Sequence, residues 1–136
     1  MLFSVSADPV LERVQAQADI DRQVGQARAL FITLTPGQEA VYAVKLAEAQ
    51  RIAADWHNVP EGETPHIAAE AAEDGVSRFE KAVEILTRDQ HWKVGAQMIE
   101  AIRRSANAAL AAAKTAPEIR AATVIDWQAV RAYAQA

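Results

Sequence analysis

Between Arg28 and Trp56 a helical pattern runs into a short β-branched and aromatic stretch, Phe31-Ile32-Thr33-Leu34-Thr35, and a second helical pattern begins at once. Thr35 is placed to accept at the helix N-cap, Pro36 brings the φ that a first helical residue needs, and Gln38 stands three positions beyond the cap. This is a capping box with proline at the first helical position. Two helices joined by so short an extended connection are expected to lie side by side and antiparallel. The junction constrains the fold more than any other stretch, because it fixes where one helix stops and the next starts. It names no activity.

The same punctuation recurs along the chain. Asp8-Pro9 opens the first helix, with a narrow apolar stripe at Gln17, Ile20, Val24, Ala27 and Phe31 suited to bundle packing. The second helix is expected from Pro36 to Trp56, with Tyr42, Leu46, Ala49, Ala53 and Trp56 on one stripe, Val41, Val44 and Ile52 beside it, and Glu48 paired with Arg51. Thr64-Pro65 begins a third, short helix that Gly75 ends. Ser77 and Glu80 form a second capping box, and the helix behind it carries Phe79, Val83 and Leu86 on one face. The apolar phase is lost near Asp89-Gln90-His91, which predicts a kink or break before a long helix bearing Val94, Met98, Ile102, Ala106, Ala109 and Ala113. Thr115 and Glu118 make another cap-like pair, and Asp126 is placed to cap a final helix with Trp127, Val130 and Tyr133. Residues 1–15 read as an N-terminal arm and the start of the first helix. Residues 16–136 read as a single helical domain.

The fold class expected is therefore all-α, an antiparallel helical bundle with short proline-initiated helices and an extended N-terminal arm. Half of the residues are hydrophobic (51%), but only 6% are aromatic and alanine dominates, so the helices can approach closely around a thin core. A partner that completes the burial fits such a chain. The absence of cysteine excludes a disulfide scaffold and thiolate metal sites. Net charge is −4, with the cations dispersed and Arg103-Arg104 the tightest basic cluster, which argues against a nucleic-acid partner. No apolar run has the length of a membrane span.

Arg28-x-x-Phe31-Ile32-Thr33, then Pro36-Gly37-Gln38, then Tyr42-x-x-Lys45-x-x-Glu48-Ala49 resembles a segment of small Ala-rich helical proteins encoded in the tail regions of tailed bacteriophages and prophages, including tail-fibre-associated proteins. Pro65-His66-Ile67-Ala68-Ala69-Glu70-Ala71 with Gly75, and the Ala-rich run from Ile99 to Thr115, continue the resemblance, which spans residues 16 to 128. It implies a non-enzymatic structural or interaction protein of a phage tail, a virion component near the fibres or the distal tail, made in the host cytoplasm. Its partners would be other tail proteins and further copies of itself. The alternative is a tail or fibre assembly chaperone that is absent from the mature particle.

A survey for chemistry finds no competing assignment. His57, His66 and His91 have no ligand partner at zinc spacing on one helix face, and no His-Glu-x-x-His occurs. Ser77 is a cap and Ser105 lies within a helix, so neither sits on a nucleophile turn. Glu70, Glu73 and Asp74 read as a solvated helix end. Gly37 is explained by helix initiation, without the second glycine or lysine of a phosphate loop. No catalytic, metal or cofactor residue is expected. The motif residues Arg28, Phe31, Thr33, Gln38, Tyr42, Lys45 and Glu48 are the candidates for a protein-docking patch or for fixing the helix junction. The second role is favoured, with Arg28 over the carbonyls of the first helix and Tyr42 against Phe31, its hydroxyl in water.

Overall fold

The structure is a computed structural model that describes residues 8–32 and 37–136. It is all-α: among the described residues there are six α-helices, one 3-10 turn and no strand. The helices are α1 (Pro9–Arg28), α2 (Gln38–Ala54), α3 (Pro65–Asp74), α4 (Arg78–Ala112), α5 (Ala116–Ala121) and α6 (Gln128–Ala134), with the 3-10 turn at Glu61–Glu63. The expected arm at residues 1–7 and the junction residues Thr33, Thr35 and Pro36 lie outside the described residues.

Most helix ends follow their local chemistry. The Asp8 carboxylate accepts from the Val10 and Leu11 amides at 3.0 and 3.3 Å, with Pro9 at the first position. Ser77 Oγ accepts from the Glu80 amide at 3.0 Å. Thr115 and Glu118 form a complete capping box, and the two amides that Glu118 accepts, from Lys114 and Thr115, hold its carboxyl below the ordinary range. Gly75 ends α3 at φ 67°, where its amide and that of Val76 return to Ala72 and Ala71. This is a Schellman end that favours glycine. The start of α2 differs from expectation. Gly37, at φ 91°, is its N-cap, and Gln38 is the first helical residue rather than the third.

Contacts group the chain into two packing units, Met1–Thr33 with Val94–Ala136, and Leu34–Lys93. In the first unit α1 buries Ala16, Ile20, Val24 and Ala27, and the core is continued by Ile99, Ala106, Leu110, Ala113, Ile119, Ala122, Trp127 and Val130. Polar side chains of α1 fix it in place. The Arg13 guanidinium donates to the carbonyls of Leu110, at 2.8 Å, and Ala113, which caps the end of α4. Gln17 donates to Asn107, and Gln23 donates to the Thr123 carbonyl while accepting from the Trp127 indole at 2.9 Å.

In the second unit the core is Ala49, Ile52, Val59, Ile67 and Ala82, with Ile85 and Leu86 packed against it. The α4 face is therefore Ala82-Ile85-Leu86, while Phe79 and Val83 stay exposed. α2 ends at Ala54 rather than at Trp56, and Ala53, Val41 and Val44 on it are exposed, as is Trp56 beyond it, so the buried stripe is narrower than expected.

The break expected near Asp89 does not occur, because α4 is continuous over 35 residues. Asp89 is a polar residue that is buried, 5% exposed, so it interrupts the apolar pattern without interrupting the helix. The phase also shifts. At about 100° per residue, Ile99 falls roughly a quarter-turn from the line of Ala82 and Asp89. Two apolar stripes on one rod imitate a kink in the sequence.

Candidate functional site

Three of the motif residues, Tyr42, Lys45 and Glu48, are spaced by three along α2 and each reaches a different neighbour. The Tyr42 hydroxyl donates to Asp89 Oδ1 at 2.7 Å, and Lys93 pairs with the other Asp89 oxygen at 2.9 Å. Burial, and then the hydrogen bond to the Asp89 carboxylate and its charge, push the Tyr42 phenol up to about 12. Lys45 forms an ion pair with Glu70 of α3. Glu48 is 7% exposed, and its two oxygens accept from His66 Nδ1 at 2.8 Å and from the Ile67 amide at 3.0 Å.

The Glu48 contact is a cap supplied from another helix. Thr64, the residue before α3, places no side-chain bond on the first amides of that helix. Its hydroxyl instead accepts from Arg78 at 2.8 Å, while Arg78 also donates to the Val59 carbonyl. The Glu48 carboxylate takes over the N-terminal amide of Ile67, where the helix dipole favours negative charge. Two expectations are thereby corrected. Glu48 does not pair with Arg51, which reaches Glu63 instead, because a buried carboxylate gains more from two donors at a helix start than from an exposed guanidinium on its own helix. Glu70 and Asp74 are not merely solvated, because they hold Lys45 and the buried Lys81. Asp74 and Glu84 together raise the Lys81 ammonium above its ordinary value.

The remaining motif residues belong to other surroundings. Phe31 lies in the first packing unit, with its ring 6.0 Å from that of Tyr133 and pressed on the backbone of Gly95. Tyr42 lies in the second, and its hydroxyl is held by a carboxylate rather than by water. Arg28 is exposed in the last turn of α1, and its backbone carbonyl accepts from Phe31 and Ile32. Its charge, after those of Arg103 and Arg104, helps to hold the Glu100 carboxyl below its usual range. Gln38 opens α2, and Thr33 is outside the described residues.

Sequence spacing missed the partners of His66, Arg78, Lys81 and Asp89 that stand 7 to 47 residues away along the chain. For Lys81 and Asp89 the available signal was a charged residue inside an otherwise apolar helix phase, where both are buried. Among the described residues no group of three or more histidines, cysteines, aspartates or glutamates could hold a metal ion, and none of the buried side-chain polar atoms lacks a hydrogen-bond partner. Tyr42, Lys45 and Glu48 tie α2 to α3 and to Asp89 of α4. No helix among the described residues is long and apolar enough to cross a membrane. No known protein family, curated protein or solved structure matches the chain.

Proposed function

We propose that this is a non-enzymatic interaction protein of a bacteriophage tail, a virion component associated with the fibres or the distal tail. The setting rests on the resemblance of the Arg28–Ala49 segment and the stretches after it. The observation that supports an interaction role is the distribution of side chains in the second unit. Lys45, Arg51, Lys81, Arg88 and Lys93 are each paired with a carboxylate of the same unit, while Trp56 is 50% exposed, Phe79 39% and Val83 44%. Trp56 and Phe79 stack at a centroid distance of 5.3 Å, and Val83 follows Phe79 by one turn. Exposed aromatic and aliphatic side chains grouped in this way are typical of the centre of a protein interface.

The test is mass spectrometry of gradient-purified particles, with the abundance of this protein compared with that of the major tail protein. A stable, stoichiometric signal is expected. Abundance in the lysate with absence from particles would replace the virion reading with that of an assembly chaperone. Absence from both would remove the tail setting altogether.

A further inference from the structure

We propose that the groove between α1 and α5 is the docking site for a lysine- or arginine-bearing amphipathic segment of a partner protein. The groove encloses about 470 Å³ and is mostly apolar, with Leu11 and Ile119 among its lining. Ile119 is 2% exposed and belongs to the core, whereas Leu11 is 50% exposed, so an apolar side chain entering here would cover it. Around this floor stand the carboxylates of Asp8, Glu12 and Asp19, with Arg120 opposite, a lining charge of −2 from three anions and one cation.

Two features select the occupant. The first is charge. Asp8 is engaged as the cap of α1 and Asp19 is paired with Arg22, whereas among the described residues no ion pair or hydrogen bond engages the Glu12 side chain. An incoming cation would meet a carboxylate that the fold has left unused. The second is shape. Asp8 and Asp19 are eleven residues apart on one helix, about 16 Å along its axis. Carboxylates spread over three turns beside an apolar floor match the repeat of a second helix, with cations on the flank and leucine-sized residues between them. A compact cation would reach only one of them. This inference is independent of where the protein works and uses none of the exposed residues of the second unit.

The probe is a synthetic peptide of leucine and lysine, about four helical turns long with the leucines on one face, titrated into the isotopically labelled full chain while backbone amide shifts are followed. A counterpart with glutamate in place of lysine is titrated in parallel. Saturable shifts confined to residues 8–23 and 116–123 are expected for the lysine peptide only. Glu12→Lys should weaken the complex about five-fold, as one surface charge contact becomes a repulsion. Leu11→Ser, at a half-exposed position that leaves the core intact, should weaken it as well. Shifts that map to Trp56 and Phe79, equal binding of the glutamate peptide, or an affinity untouched by Glu12→Lys would each overturn the proposal. So would concentration-dependent shifts at residues 8–23 without any peptide, because the occupant would then be a second copy of the chain.

Discussion

Gly95 offers the sharpest test of the packing. A glycine near the middle of a 35-residue helix is unfavourable by about 1 kcal/mol relative to alanine, so on local grounds Gly95→Ala should stabilise the protein. The structure opposes that gain. A Cβ at Gly95 would stand 2.6 and 2.8 Å from Cε1 and Cε2 of Phe31, and closer still to Cζ. Comfortable carbon contacts are about 3.5–4.0 Å, so the ring would have to retreat by about 1 Å. It is half-buried and can move, but only by giving up contacts with α4 and with Tyr133 behind it, a cost of about 1–3 kcal/mol. Gly95→Ala alone should therefore be neutral or destabilising by up to about 2 kcal/mol, whereas in a Phe31→Ala background it should stabilise by about 1 kcal/mol. The coupling between the two positions is then about 1–3 kcal/mol. Urea unfolding followed by circular dichroism at the helix band gives the four stabilities, and thermal midpoints should separate by about 3–5 °C per kcal/mol. If Gly95→Ala stabilises by the same amount with and without the Phe31 ring, to within about 0.5 kcal/mol, the ring does not occupy the space that the glycine leaves.

Other contacts give separate expectations. Glu48→Ala removes both acceptors at the start of α3 and leaves the buried Ile67 amide bare, so it should cost about 2–3 kcal/mol in urea unfolding, with Glu48→Gln milder because one acceptor survives. Arg13→Ala uncovers the last carbonyls of α4 and should cost about 1–2 kcal/mol, with faster amide exchange concentrated at the end of that helix. Tyr42 should titrate late, near pH 12, in ultraviolet difference spectra, and Tyr42→Phe should abolish that phase. Since the folded state holds this proton more tightly than the unfolded one, where a phenol loses it near pH 10, the stabilisation from Tyr42 is complete below pH 10. It falls as the pH rises from there towards 12, and a Tyr42→Phe variant should lack this component of alkaline instability.

What was legible in the sequence is what local chemistry decides. Asp8-Pro9, Gly75, Ser77 and the Thr115–Glu118 box mark ends that the structure reproduces, because a cap is settled within four residues by amides that need an acceptor. The stripe Ile20, Val24 and Ala27 was legible for a similar reason, since α1 faces one core from Ala16 to Ala27. The buried face of the first half of α4 was not. Phe79 and Val83 are larger than Ala82 and so dominate any pattern of hydrophobicity, yet the space there accepts the small residue. The partners of the motif were beyond reach for a different reason. Glu48 has an arginine three residues away on its own helix, and only the fold brings His66 and the bare amide of Ile67 closer.

These contacts also bear on why the motif joins residue types that seem unrelated. Tyr42, Lys45 and Glu48 present a phenol, an ammonium and a carboxylate, and each meets a partner that the other two could not satisfy. Asp89 accepts from a hydroxyl, Glu70 requires a cation, and the start of α3 requires an anion. With alanine at eight of the eighteen buried hydrophobic positions among the described residues, apolar packing specifies less about which helix faces which, because alanine surfaces fit one another in many registers. Three different polar contacts in sequence favour one register of α2 on its neighbours, since a shift by one turn would bring Lys45 towards an amide in one direction and Glu48 towards a carboxylate in the other. Tyr42, Lys45 and Glu48 are thus accounted for by the need to fix a thin-cored unit, and the proposed recognition rests on side chains outside them, such as Trp56, Phe79 and Glu12.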